Sequence, residues 1–204
     1  MEKIIVLGMG GHAKSIVDAI ERQNNFQVAG YVVNEEPNKK VLYDYPIIGK
    51  DKDLKSLFEQ GIHNIAIGIG FLGRNEIRKK LYYLAKNLGY FFPIICDPSA
   101  IISQKVKIEE GTFIGKGAIV NAGTYIGKMC ILNTGAIIEH DCIIDDFSHV
   151  AVGTVLCGRV KVGKQAFIGA NATVIQEKFV GNNCIVAAGT VVRKDIEHGV
   201  FIGE

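Results

Sequence analysis

From Ala100 to Asp195 the sequence divides, without an insertion, into sixteen hexads that begin AIISQK, VKIEEG, TFIGKG and end CIVAAG, TVVRKD. The third residue of every hexad is Ile, Val or Leu. The first is Ala, Val, Thr, Cys or Ser in all but one, where Lys178 stands. Chance does not hold sixteen aliphatic residues at one phase. A period of six with one large and one small inward position is the pattern of a hexapeptide parallel β-helix. Three hexads make one triangular coil, so sixteen give just over five coils, with the Ile/Val/Leu column filling the interior.

Residues 1–95 have a different rhythm, alternating strand and helix. KIIVLG, FQVAGYVV and NIAIGIG read as short buried strands. HAKSIVDAIERQ, with Ile16, Val17 and Ile20 at helical spacing, KDLKSLFEQG and RNEIRKKLYYLAKNLG read as helices, and YFFPII closes the set. This order predicts a small, mainly parallel sheet with helices packed on it. The division expected is 1–95 for this α/β domain and 96–204 for the β-helix.

Composition narrows the function. A net charge of +2 with no Lys/Arg stripe leaves no electrostatic footprint for nucleic acid. The opening MEKIIVLGMGGHAK is too short and too glycine-rich for a signal peptide, and no apolar run is long enough to span a membrane. A soluble, cytoplasmic protein is expected. The five cysteines form no CxxC pair, so neither zinc nor thioredoxin-type chemistry is read from them. Cys130, Cys142 and Cys184 fall in the small inward slot. Cys130 and Cys184 share a face but lie three coils apart, ~14 Å at the ~4.8 Å strand spacing, too far for a disulfide. They are expected to be core filler.

Two stretches stand out against these patterns: GMGGHAKSIVDAI near the N-terminus and NTGAIIEHDCIIDDFSHVAVG, residues 133–153. With RNEIRKKL they make the chain resemble the nucleotide-sugar N-acetyltransferases of the hexapeptide-repeat sugar acyltransferase family. These are the bacillosamine-, perosamine- and viosamine-type enzymes, related to the sialic acid O-acetyltransferases. The resemblance implies an N-terminal Rossmann-like α/β domain followed by a left-handed parallel β-helix. It also implies acetyl-CoA as donor, a nucleotide-sugar acceptor, and a homotrimer with active sites between neighbouring β-helices; no metal is expected, because no third ligand falls at useful spacing from the two histidines.

Position by position, the resemblance implies that His140 is the catalytic base, Asp141 its acidic neighbour and His149 a contact to acetyl-CoA. Ala170 and Ala188 fall where the family's backbone meets the donor. Gly10, Gly11 and His12 match the nucleotide-sugar loop, Asn34 and Glu35 stand where some relatives carry two aspartates, and Gly68 matches a further contact. The Asn34 departure leaves the carrier, UDP or dTDP, open.

The chemistry agrees with that assignment. Acetylating a sugar amine requires a deprotonated amine, a held thioester and stabilisation of the tetrahedral oxyanion. A histidine near its ordinary pKa of ~6.5 suits the first task, and an adjacent carboxylate favours the imidazolium and fixes the ring tautomer. His140 is the fifth residue of its hexad, at a corner. His149 is the second residue of its own, facing outward. Nine residues are half a coil, so the two point to different sides of the prism, and one shared site would have to lie between subunits. His63 and His198 lack such context and are read as structural.

GMGGHA also fits a dinucleotide fingerprint, with Glu35 near the ribose-binding distance. A ~95-residue half is too short for a full doubly wound dinucleotide fold. The loop is therefore read as a sugar-nucleotide cradle at a helix N-terminus. The leading expectation is acetyl transfer to a nucleotide-linked 4-amino-4,6-dideoxy sugar. The alternative is O-acetylation of sialic acid or a related hydroxyl, which the same base could serve. A scaffold without catalysis is the third reading, and it gives EHD and SH no purpose.

Overall fold

A computed structural model of the chain describes residues 1–34, 41–71 and 76–203. It separates into two compact units, residues 1–70 with 75–95, and residues 71–74 with 96–204.

In the first unit β1 (Glu2–Leu7) lies between β2 (Phe26–Val32) and β5 (Asn64–Ile67), parallel to both. Ile4, Ile5, Val6 and Leu7 are all buried, as a strand covered on both faces must be. The sheet continues through β4 (Tyr45–Gly49), parallel to β2, to β3 (Val41–Leu42), antiparallel to β4. The sequence pattern misses these last two strands. β3 has two residues, and β4 is a half-buried strand carrying Pro46, so neither shows an alternation. Gly30 explains how β4 comes so close to β2. Its φ is +151°, and a Cβ there would sit 2.6 Å from the Pro46 carbonyl.

Helix α1 (Gly11–Gln23) buries Ala13, Ile16, Val17, Ala19 and Ile20 and ends on left-handed Asn24, whose N–H donates to the Ile20 carbonyl at 3.0 Å. The predicted helix over 52–61 is a 3-10 turn at Asp51–Asp53 followed by α2 (Leu54–Glu59). Helix α3 (Ile77–Asn87) buries Leu81, Tyr82 and Ala85 together with Arg78. The start of the stretch read as that helix, at Arg74, lies outside the described residues. The segment read as a closing strand contributes one isolated bridge to this sheet, Phe91 to Asn64.

The second unit is a parallel β-helix. As far as Val191–Val192 each strand pairs with the one 18 residues before it, Ile119 with Ile137 and Tyr125 with Ile143, so three flat faces repeat once per coil; the last pairings, Val180 with Ile196 and Ile185 with Phe201, span 16. The third-position column from Ile114 to Val192 is at most 3% exposed, with Val150, Leu156 and Ile168 at zero. Each such side chain contributes about 1.5–3 kcal/mol by leaving water.

The sixth residue of every hexad from Gly111 to Gly189 has a positive φ. Six of those are bulky or polar side chains other than asparagine, Met129, Asp141, Phe147, Arg159, Gln165 and Glu177, all between +56° and +62°. The coil therefore imposes this left-handed corner whatever residue it is given, at a cost that L side chains normally avoid.

The small inward slot has its own polar ladder. Thr112, Thr124, Ser148 and Thr154 donate their hydroxyls to carbonyls 15 residues on, at 2.7–3.0 Å. The thiols of Cys130 and Cys142 make the same bond at 3.2 Å, to Asp145 and Cys157. None of the five cysteines forms a disulfide. The inward three are more than filler, because each thiol stands in for a hydroxyl under a corner.

Candidate active site

His140 and Asp141 occupy one such corner, between strands Ile137–Ile138 and Ile143–Ile144. The left-handed backbone of Asp141, φ +58°, turns its carboxylate back toward the preceding ring, and Oδ2 lies 2.9 Å from His140 Nδ1. An ionised carboxylate only accepts hydrogen bonds, so Nδ1 carries a proton, and in the neutral ring Nε2 is the nitrogen with the lone pair. The corner is held from inside. Thr124 donates to the Glu139 carbonyl at 3.0 Å and accepts the Cys142 N–H at 3.3 Å, while the His140 carbonyl accepts the Arg159 N–H at 2.9 Å. The His140 side chain is 51% exposed, so the ring is open to reagents outside the prism.

His149 differs from expectation. It faces out of the prism from strand His149–Val150, but the residue is only 6% exposed. Phe71 covers it, and its Nδ1–H donates to the Phe71 carbonyl at 2.6 Å. The ring also packs edge-on to Phe167, with centroids 5.2 Å apart. Since the carbonyl can only accept, Nε2 is the acceptor nitrogen, and the Asn133 amide faces it at 3.5 Å. The orientation of that amide follows from its other end, where Oδ1 accepts the Thr134 N–H at 2.8 Å. Spacing alone showed neither Phe71, 78 residues away, nor Asn133.

Ala170 and Ala188 are one coil apart at the corner that follows the His149 face, and the Ala170 carbonyl accepts the Gly189 N–H at 2.8 Å. Ala188 lines an open groove of about 740 Å³ with Ala187, Gly189, Thr190, Val191, Phe201 and Gly203. The face carrying His149 lies opposite the corner carrying His140, so one chain does not bring His140 together with His149, Ala170 or Ala188.

In the first unit Gly10 is the N-cap of α1 and makes no side-chain cap bond. Among the described residues a Cβ at Gly10 or at Gly11 would meet nothing within 4 Å, so they leave open space above the helix N-terminus. His12 begins the helix beside Gly70, whose Cβ position is 3.6 Å from that of His12. Gly68 has a packing reason to be glycine, because a Cβ there would lie 2.7 Å from the Ala13 Cβ and 2.9 Å from Val6. Asn34 and Asp51 form a reciprocal pair, the Asn34 amide donating to Oδ2 at 2.6 Å and the Asp51 N–H to Asn34 Oδ1 at 3.0 Å. Both line a cleft of about 270 Å³ with Gly8, Val33 and Ile69, beyond the carboxyl ends of β1, β2 and β5. Asp51, distant in sequence, carried no signal of its own. Glu35 lies outside the described residues. Among the described residues no three His, Cys, Asp or Glu side chains gather as a metal cluster, and no helix is long and apolar enough to cross a membrane.

An outward histidine–aspartate dyad on a hexapeptide β-helix is the arrangement that the resemblance to the hexapeptide-repeat sugar acyltransferases implies. The comparisons narrow this. Residues 3–84 match the PglD N-terminal domain, and residues 105–140 and 159–194 match the hexapeptide repeat of succinyl-transferase. A histidine-to-asparagine variant of perosamine N-acetyltransferase from Caulobacter crescentus, solved with CoA and GDP-perosamine, is 34% identical. It superposes with a TM-score of 0.92 over 98% of this chain and 93% of that one. The acetyltransferase domain of PglB from Neisseria gonorrhoeae, with acetyl coenzyme A, is 28% identical at a TM-score of 0.90 over 100% and 96%. The chain belongs to the nucleotide-sugar N-acetyltransferases of the hexapeptide-repeat family, and its β-helix is the left-handed kind. The curated relatives match shorter pieces. YvoF of Bacillus subtilis is 41% identical over 46 residues, so the match spans 27% of that protein, and bifunctional GlmU of Anaplasma marginale is matched over 13% of its length.

Proposed function

We propose that the protein transfers an acetyl group from acetyl-CoA to the amine of a nucleotide-linked 4-amino-4,6-dideoxy sugar. The observation that carries this is the 2.9 Å contact of His140 Nδ1 with Asp141 Oδ2 at an exposed corner, which in the neutral ring leaves the lone pair on Nε2. Nε2 takes the proton as the amine attacks the thioester carbonyl, and Asp141 stabilises the imidazolium that results. Residues 96–204 act as the acetyltransferase domain, with His149, Ala170 and Ala188 toward acetyl-CoA. Residues 1–95 act as the nucleotide-sugar domain through Gly10, Gly11, His12, Asn34, Glu35 and Gly68. Because His140 and the Ala170–Ala188 corner are on different sides of one prism, a complete centre needs a second chain, which supports a homotrimer.

The sequence reading names UDP or dTDP as carrier. The Caulobacter relative binds GDP-perosamine, so a guanosine carrier stands beside them. The test is an acceptor comparison by mass spectrometry, with acetyl-CoA offered to UDP-, dTDP- and GDP-linked 4-amino sugars and to free sialic acid. An acetylated amino sugar supports the proposal and names the carrier. Product on sialic acid alone replaces it with O-acetylation.

A further inference from the structure

The fifth position of the hexads does not demand glycine. Gln104, Ala122, Gln176 and Lys194 occupy it along the corner that holds His140, and Gly158 is the exception, one coil after the histidine. Backbone does not explain that choice, because Gly158 has no positive φ. Its neighbour does. A Cβ on Gly158 would sit 2.6 Å from His140 Nε2, 2.8 Å from Cε1 and 3.3 Å from Cδ2. Real Cβ atoms do not approach other heavy atoms so closely, and the atoms met belong to a ring tethered at Nδ1 to Asp141, 2.9 Å away.

We infer that Gly158 is a positioning residue for His140, the missing side chain being what lets the imidazole lie over the next coil with Nδ1 on Asp141. The inference rests on His140 being the base. Any side chain at 158 must either swing the ring off Asp141, losing the tautomer, or stand over the nitrogen that takes the proton. Alanine suffices for either, since one methyl already occupies the contested space.

The experiment compares Gly158→Ala, His140→Ala and the double variant in the full chain, following turnover, thermal unfolding and the nitrogen shifts of the His140 ring by NMR. Alanine for glycine at an unstrained position normally stabilises by restricting the unfolded chain. With His140 present, where the half-exposed ring must move aside, Gly158→Ala is therefore expected to raise the unfolding midpoint less than it does in the His140→Ala background. This difference needs no activity and survives even if His140 proves not to be the base. The ring is expected to lose its single Nδ1–H form, and turnover to fall about tenfold or more with the acetyl-CoA KM within about twofold. The same midpoint change in both backgrounds, or unchanged ring signals, overturns the positioning role. Wild-type turnover in a variant whose ring has moved overturns the catalytic role of His140 and leaves the steric one standing.

Discussion

His140 Nδ1 and Asp141 Oδ2 are 2.9 Å apart because the residue after the histidine is left-handed, as the sixth residue of each hexad is along the prism from Gly111 to Gly189. The repeat thus supplies, at no local cost beyond its own corner, the turn that folds a carboxylate back onto the preceding ring. Asparagine tolerates that conformation as well as aspartate. Asp141→Asn is expected to keep the fold and the hydrogen bond while losing the charge that favours the imidazolium. Turnover should drop about tenfold or more with a near wild-type unfolding midpoint. Unchanged turnover would show that the carboxylate only orients the ring.

The two histidines should separate cleanly in stability. His149 is buried against Phe71 and Phe167 and satisfies the Phe71 carbonyl, so His149→Ala leaves a cavity and an unpaired acceptor. A loss of about 3 kcal/mol is expected in urea unfolding. His140→Ala, at a half-exposed corner, should change it little. Equal losses would contradict the burial of His149.

Gly10 and Gly11 have room for side chains as far as the described protein atoms are concerned. Gly11→Val is expected to leave stability near wild type and to raise the acceptor KM more than the acetyl-CoA KM. Equal effects on both would mean that the loop does not hold the acceptor.

Burial pushes the Cys142 thiol up from 9.0 to about 11. The unfolded chain releases that proton first, so the thiol's contribution is complete below pH 9 and is lost as pH rises from 9 through 11. Cys142→Ser keeps a donor to the Cys157 carbonyl and removes the ionisation. Urea midpoints should match wild type at pH 7 and fall less steeply between pH 9 and 11. A wild-type decline in the variant would assign the alkaline loss elsewhere, with Tyr31 and Tyr90, each pushed up to about 12 chiefly by burial, among the groups that could carry it.

The β-helix was legible because its defining contacts are local and repeated, one aliphatic residue every six from Ile102 to Val192. The His140–Asp141 pair was legible for the same reason, its two members being adjacent. What escaped depends on distance along the chain. Phe71 covers His149 from 78 residues away, Asp51 meets Asn34 from 17, and Gly158 lies under His140 from 18. The strands at 41–49 escaped because a two-residue strand and a proline-bearing one show no alternation. The cysteines were placed correctly in the small slot. Their hydrogen bonds were not visible, since a thiol and a methyl are equally small in a sequence pattern.

The most direct test measures acetyl transfer from acetyl-CoA to UDP-, dTDP- and GDP-linked 4-amino-4,6-dideoxy sugars by wild type and His140→Ala at matched folded concentration. The account predicts one N-acetylated nucleotide sugar from wild type and a rate lower by about 10²–10⁴ in the variant. A variant that acetylates as fast as wild type would contradict the assignment of His140 as the base.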